Sequence, residues 1–156
     1  MDLQLAAVVL LLAAGSDFVG TANCPEPVVG HIVGNSLDVN NPVPFVDGHP
    51  EVQVPRVNAR SQPSYPTYPA GIDKVRATVV VAGTIDIDGN VRDVKTIGCS
   101  VSKGKTRLEG DEKLKYCPQF SLHAESAFSR WRYDPALRDG TPVCVETLAK
   151  FSFQPK

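Results

Sequence analysis

Four cysteines, three histidines and a set of aspartates around one turn are the residues with most chemical potential in this chain. Cys24, Cys99, Cys117 and Cys144 contain no C-x-x-C pair, and their separations match no zinc-site pattern. They are expected to be structural disulfides of an oxidising compartment. Asp86, Asp88 and Asp93 lie close together in sequence, but calcium takes six or more oxygens and so short a loop cannot supply them. They are expected to serve turn chemistry and solvation. His31 and His49 fall in a proline-containing stretch and His123 lies off the nearest apolar stripe, so all three are expected as solvated side chains and no metal site is expected. No Gly-x-Ser-x-Gly elbow places a serine beside a histidine, and no glycine-rich phosphate loop is present. The expectation is a protein that is not an enzyme and needs no cofactor. A net charge of −1 and a pI near 6.3 give no reason to expect a nucleic-acid partner.

The elements that must position these residues divide the chain into three parts. Residues 1–22 read as a secretory signal peptide or a short anchor. Leu5 to Ala14 is an unbroken apolar run, about half the roughly 20 residues a bilayer span needs. Asp2 stands where a basic residue is usual, and Gly20-Thr21-Ala22 supplies small residues for cleavage. Residues 23–60, with Pro25, Pro27, Pro42, Pro44, Pro50 and Pro55, read as a tether. Residues 61–156 hold the folded domain. The expected location is periplasmic or secreted, with anchorage at the inner membrane as the alternative.

Within that domain, 70–75 is a short helix candidate, and 78–87 alternates with period two, Val79, Val81, Ile85 and Ile87 facing one way. Gly83 interrupts that row, as a bulge or a close approach does. Asp88-Gly89 predicts a hairpin turn, and 91–99 returns, with Val94 and Ile97 as core candidates. Residues 100–116 are charged with mixed signs and read as a solvated loop. Phe120, Ala124, Ala127, Phe128 and Trp131 form one apolar stripe, predicting a helix over 120–133 that Asp134-Pro135 ends. A last strand over 143–153 follows the turn at Asp139-Gly140. Three antiparallel strands and one main covering helix make an α+β, two-layer domain. Cys99 ends the second strand and Cys117 opens the helix, which predicts a Cys99–Cys117 bridge worth on the order of 3 kcal/mol in a chain-entropy account. Cys24 with Cys144 follows only as the remaining pair.

The block Ile85-Asp86-Ile87-Asp88-Gly89-Asn90-Val91, the later block Ser129-Arg130-Trp131-Arg132-Tyr133-Asp134-Pro135-Ala136, and the turn Asp139-Gly140-Thr141-Pro142-Val143 stand in an order that resembles the C-terminal domain of the TonB family. Those proteins transmit energy from the inner membrane to outer-membrane receptors of Gram-negative bacteria. The resemblance spans about residues 60–156 and implies a binding module whose partner is a short receptor N-terminal segment, added as a strand beside the last one. It carries partner binding to Val143, Val145 and Thr147 on that strand. The family's Arg-x-Gln-Pro segment corresponds to Arg60, Gln62 and Pro63. Departures are Gly83, the 100–116 insertion, the cysteines, and a front end without the family's long anchor helix. The alternative is a soluble secreted or periplasmic binding protein that uses the same domain for another ligand, without energy transduction. Free sheet edges also allow pairing into a homodimer.

Overall fold

A computed structural model describes Cys24 and residues 29–33, 44–68 and 72–156. The expected signal segment, 1–22, lies outside the described residues, as does much of the expected tether. In chain order the elements are β1 (Ile32–Val33), β2 (Phe45–Val46), β3 (Val52–Gln53), β4 (Arg56–Ala59), β5 (Arg76–Ile85), β6 (Val91–Lys103), β7 (Thr106–Arg107), α1 (Gly110–Leu114), α2 (Cys117–Ser129), β8 (Arg132–Asp134), β9 (Ala136–Arg138), β10 (Thr141–Val143) and β11 (Val145–Phe153). The chain is α+β with antiparallel strand pairing throughout its named sheets.

The main sheet runs β11-β5-β6-β7. Three long strands were expected, and the fourth, β7, is a two-residue ribbon returning on the end of β6. β5 and β11 pair without interruption from Val145↔Ile85 to Phe153↔Ala77. Their alternation buries Ala77, Val79, Val81 and Ile85 on one strand and Val145, Thr147, Ala149, Phe151 and Phe153 on the other. β5 and β6 shift register twice, between Val80 and Val81 and between Ala82 and Thr84. The first shift leaves Ile97 without an opposite residue and 53% exposed, so it is not the core residue expected; Val94 is half-buried. The second passes Gly83, where an added Cβ would stand 2.8 Å from Phe128 Cε1. The strand glycine thus marks both a bulge and a close approach of the helix.

Helix α2 buries Cys117, Phe120, Ala124, Ala127 and Phe128. The Phe120 ring lies 4.8 Å from Phe153, and Phe128 lies 6.4 Å from Phe151. Glu125 accepts hydrogen bonds from the Thr96 backbone N–H and hydroxyl at 2.9 and 2.8 Å, tying helix to sheet. The helix ends at Ser129, four residues before the expected Tyr133. Pro135 disfavours helical backbone just before it, and residues 132–134 pair instead with β4, Val57 opposite Tyr133. Trp131 is accordingly a half-buried residue at the helix exit, beside the core rather than inside it.

Three further expectations are corrected. Residues 100–116 are solvated as expected over most of their length, but they are not a loop: they form a continued strand, a turn at Gly104 (φ 59°), the β7 ribbon and α1, with Val101 and Tyr116 buried. Residues 44–60 were expected as a tether, yet β3 pairs with β9 and β4 with β8. The short helix expected over 70–75 is absent at 72–75; its first two residues lie outside the described set. Both disulfides, Cys99–Cys117 and Cys24–Cys144, are formed.

Candidate functional site

β11 is one edge of the main sheet, opposite β6 and the short β7, and its geometry decides which residues a strand added there can reach. Backbone groups alternate along a strand just as side chains do. Glu146 N donates outward to Gly30 O at 2.8 Å, and Cys144 O accepts outward from Val29 N at 3.0 Å. By period two, the outward residues that follow are Leu148, Lys150 and Ser152. All three have exposed side chains, Leu148 to 57%. No strand pairs with their outer side among the described residues.

The residues carried over by resemblance fall on the other phase. Val145 and Thr147 are buried and turn their backbone toward β5. Val143 belongs to β10, opposite Ala136, and Cys144 separates it from β11. The last strand expected from the alternation is present as β11, and Val145 and Thr147 lie on its inner phase, facing β5. Phase depends on which neighbour takes the inner hydrogen bonds, and that neighbour's register is not written in the strand itself.

Arg60, Gln62 and Pro63 lie on a segment that runs past the helix exit. The Arg60 guanidinium sits 5.2 Å from the centroid of the Trp131 ring, and Trp131 Nε1 donates to Ser61 O at 2.9 Å. Arg130 donates to Ser61 Oγ from two nitrogens at 3.1 Å. Trp131 in turn packs on Phe151 of β11 at 5.7 Å. Arg60 is therefore connected to the edge strand through one ring, while Gln62 is exposed. Further along, Tyr65 Oη donates to Val75 O at 2.8 Å and packs on Phe120 at 5.3 Å. Burial pushes the Tyr68 hydroxyl up to about 12.

A cleft of about 490 Å³ adjoins the edge, lined by His31, Ile32, Ala82, Asp93, Lys95 and Leu148 among others. Asp93 has positive φ (52°). Sequence reasoning missed this feature, although Gly83, read as a bulge or close approach, is among its lining residues.

At the turn that joins β5 to β6, Asp86 is fully buried, against the expectation of a solvated turn residue. Its Oδ1 accepts from Asp88 N and Asn90 N at 3.0 and 2.9 Å, and its Oδ2 accepts from Arg92 Nε at 3.0 Å. Satisfied this way, a carboxylate can stay buried. The one serine–histidine contact among the described hydrogen bonds is Ser64 with His123. His123 Nδ1 lies 2.8 Å from the Ser64 carbonyl, an acceptor only, so that nitrogen donates and cannot take the Ser64 proton. Among the described residues no group of three or more His, Cys, Asp or Glu is placed to hold a metal ion. None of their helices is long and apolar enough to cross a membrane. No protein-family model matches this chain, and no curated protein matches it.

Proposed function

We propose that this chain is a non-enzymatic cell-envelope protein that binds an extended peptide by strand addition to β11, in the manner of TonB-type C-terminal domains. The observation that carries the reading is the outward backbone at Leu148, Lys150 and Ser152, which has no strand partner among the described residues. Main-chain hydrogen bonds along such an edge supply affinity, and neighbouring side chains supply selectivity. The two-layer reading of the domain, with α2 over the three long strands, follows the same family likeness. Two disulfides favour an oxidising compartment, periplasmic or extracellular. The partner class is the N-terminal segment of an outer-membrane receptor. Titration with such peptides should shift the amides of Leu148, Lys150 and Ser152; no shift at high peptide concentration overturns the receptor as partner.

One observation favours the second reading, a soluble binding protein without energy transduction. β3 and β4 are built into the fold, so the stretch left as a spacer is shorter than the expected tether. An intact mass of the native protein from fractionated cells separates the two. A chain starting near Asn23 in the soluble envelope fraction supports the second, and one retaining 1–22 with the inner membrane supports the first.

A further inference from the structure

The start of the β11 edge already has a neighbour, and it is the chain itself. His31 bridges Glu146 in parallel, flanked by the Val29–Cys144 and Glu146–Gly30 hydrogen bonds. On its other side the same segment is held by β2, where Ile32 faces Val46 and Asp47 N donates to His31 O at 3.0 Å. Gly30 lies tight in this seat, since an added Cβ would stand 3.0 Å from Val46 Cγ1 and 3.1 Å from Asp47 O. The Cys24–Cys144 disulfide fastens the segment to the residue just before β11, and both cysteines are buried. These are the backbone groups that an added partner strand would use.

We infer that residues 29–32 are an intramolecular strand ligand of the β11 edge, clamped by Cys24–Cys144, that competes with any extended partner for the first part of that edge. A short linker keeps a tethered ligand at an effective concentration on the order of millimolar, so a free peptide at lower concentration does not displace it. The partner is left the part from Leu148 onward, room for a short extended segment. Covering part of the edge also limits pairing between copies, the usual hazard of an open strand. The consequence for a partner rests on strand addition being the function of β11; the occupancy by residues 29–32 does not.

The test is amide hydrogen exchange on the full chain, comparing wild type, Val29→Pro, and the double substitution Cys24→Ser with Cys144→Ser. Proline removes the N–H that bonds Cys144 O and leaves the disulfide intact, so one variant informs even if the other fails to fold. The amides of β5 report that the fold persists. In wild type the Glu146 amide should exchange slowly and those of Leu148, Lys150 and Ser152 fast. Either change should speed Glu146 by about a hundredfold, as expected for local opening. The probe is a synthetic peptide of residues 28–33, Val-Val-Gly-His-Ile-Val, at about millimolar concentration. It should restore Glu146 protection in the variants and leave wild type unchanged. Fast Glu146 exchange in wild type overturns the inference. So does equally slow exchange in all three folded proteins, or equal peptide binding by all three. If receptor peptides fail while the 28–33 peptide binds the variants, the partner assignment falls and the intramolecular ligand stands.

Discussion

The hairpin turn of the main sheet and its β11 edge are built on opposite principles. At the Asp86–Arg92 turn the buried Asp86 carboxylate is satisfied by its neighbours, while Asp88 and Arg92 stay exposed. Asp86 holds two turn amides and Arg92, Tyr133 N donates to Gly89 O at 2.9 Å, and a Cβ on Gly89 would lie 1.8 Å from Tyr133 O. Along β11 the inner phase is buried in ring contacts, while the outer phase offers its backbone to a neighbour and receives a brief one from residues 29–32. Closure at the turn gives a rigid reference for the register of β5 and β6. Openness along β11 leaves the backbone of Leu148, Lys150 and Ser152 without an outer strand partner among the described residues. Substitutions at the closed turn should therefore cost stability, and substitutions on the open phase should cost binding.

The largest effect is expected at Gly89. Gly89→Val places a β-branched side chain at φ +82° and against the Tyr133 carbonyl, which backbone movement alone can relieve. Strain of this kind combined with overpacking should cost about 4 kcal/mol or more. Urea unfolding measures it, and a loss under about 1 kcal/mol would show that the turn is not closed.

Trp131→Ala comes next and probes the join between the two regions. The ring packs edge-on against Phe128 at 5.3 Å and Phe151 at 5.7 Å, and its N–H holds Ser61 O. Because Trp131 is half-buried, the expected cost is about 2–3 kcal/mol, under the 3–5 of a fully buried ring. The same change should free Arg60 and loosen residues 60–63, visible as faster exchange at Ser61 and Gln62. An unchanged midpoint would mean that the contacts at the helix exit contribute nothing to stability.

A smaller effect is set by pH. Burial pushes the Tyr133 hydroxyl up to about 12, with the Arg60 charge opposing. The folded state favours the neutral phenol, so this contribution is fully present below the unfolded value near 10 and is lost as pH rises through about 12. About 2 kcal/mol is involved. Tyr68 shifts in the same direction through its own burial. Tyr133→Phe should therefore flatten part of the alkaline loss, and an identical alkaline profile would sink the role given to Tyr133.

What the sequence made legible follows the same division. Asp88-Gly89 announced its turn because only glycine accepts the required φ without strain. The β11 pattern was legible because alternating burial is a local property, seen directly from Val145 to Phe153. Cys99–Cys117 was legible from the elements it joins. Strands β3 and β4 were not, because their partners, β9 and β8, lie far along the chain and two to four residues carry no period of their own. Asp86 misled because an aspartate in a turn is usually wet, and its burial needs Arg92 and two amides in place together. The edge strand could be found from local pattern, while its outward phase and its N-terminal neighbour are tertiary facts.

The smallest stability effect and the largest expected binding effect coincide at Lys150. Its side chain is exposed and its N–H belongs to the outward phase of β11, so Lys150→Pro removes no bond of the β5–β11 ladder. Proline is tolerated on an edge strand where its missing N–H would have faced solvent. Fixing φ near −65° bends a strand only locally, so the stability loss should be about 1 kcal/mol or less. For an added strand the change is severe, because Lys150 lies midway between Leu148 and Ser152. A peptide would lose its central main-chain donor and meet the pyrrolidine ring. Binding should therefore fall at least tenfold while the unfolding midpoint barely moves. Retained affinity would place the partner elsewhere, with the cleft beside Leu148 as the next surface to probe. A large loss of stability would show instead that the outer phase of β11 is structural, and the contrast between the hairpin turn and the β11 edge would not hold.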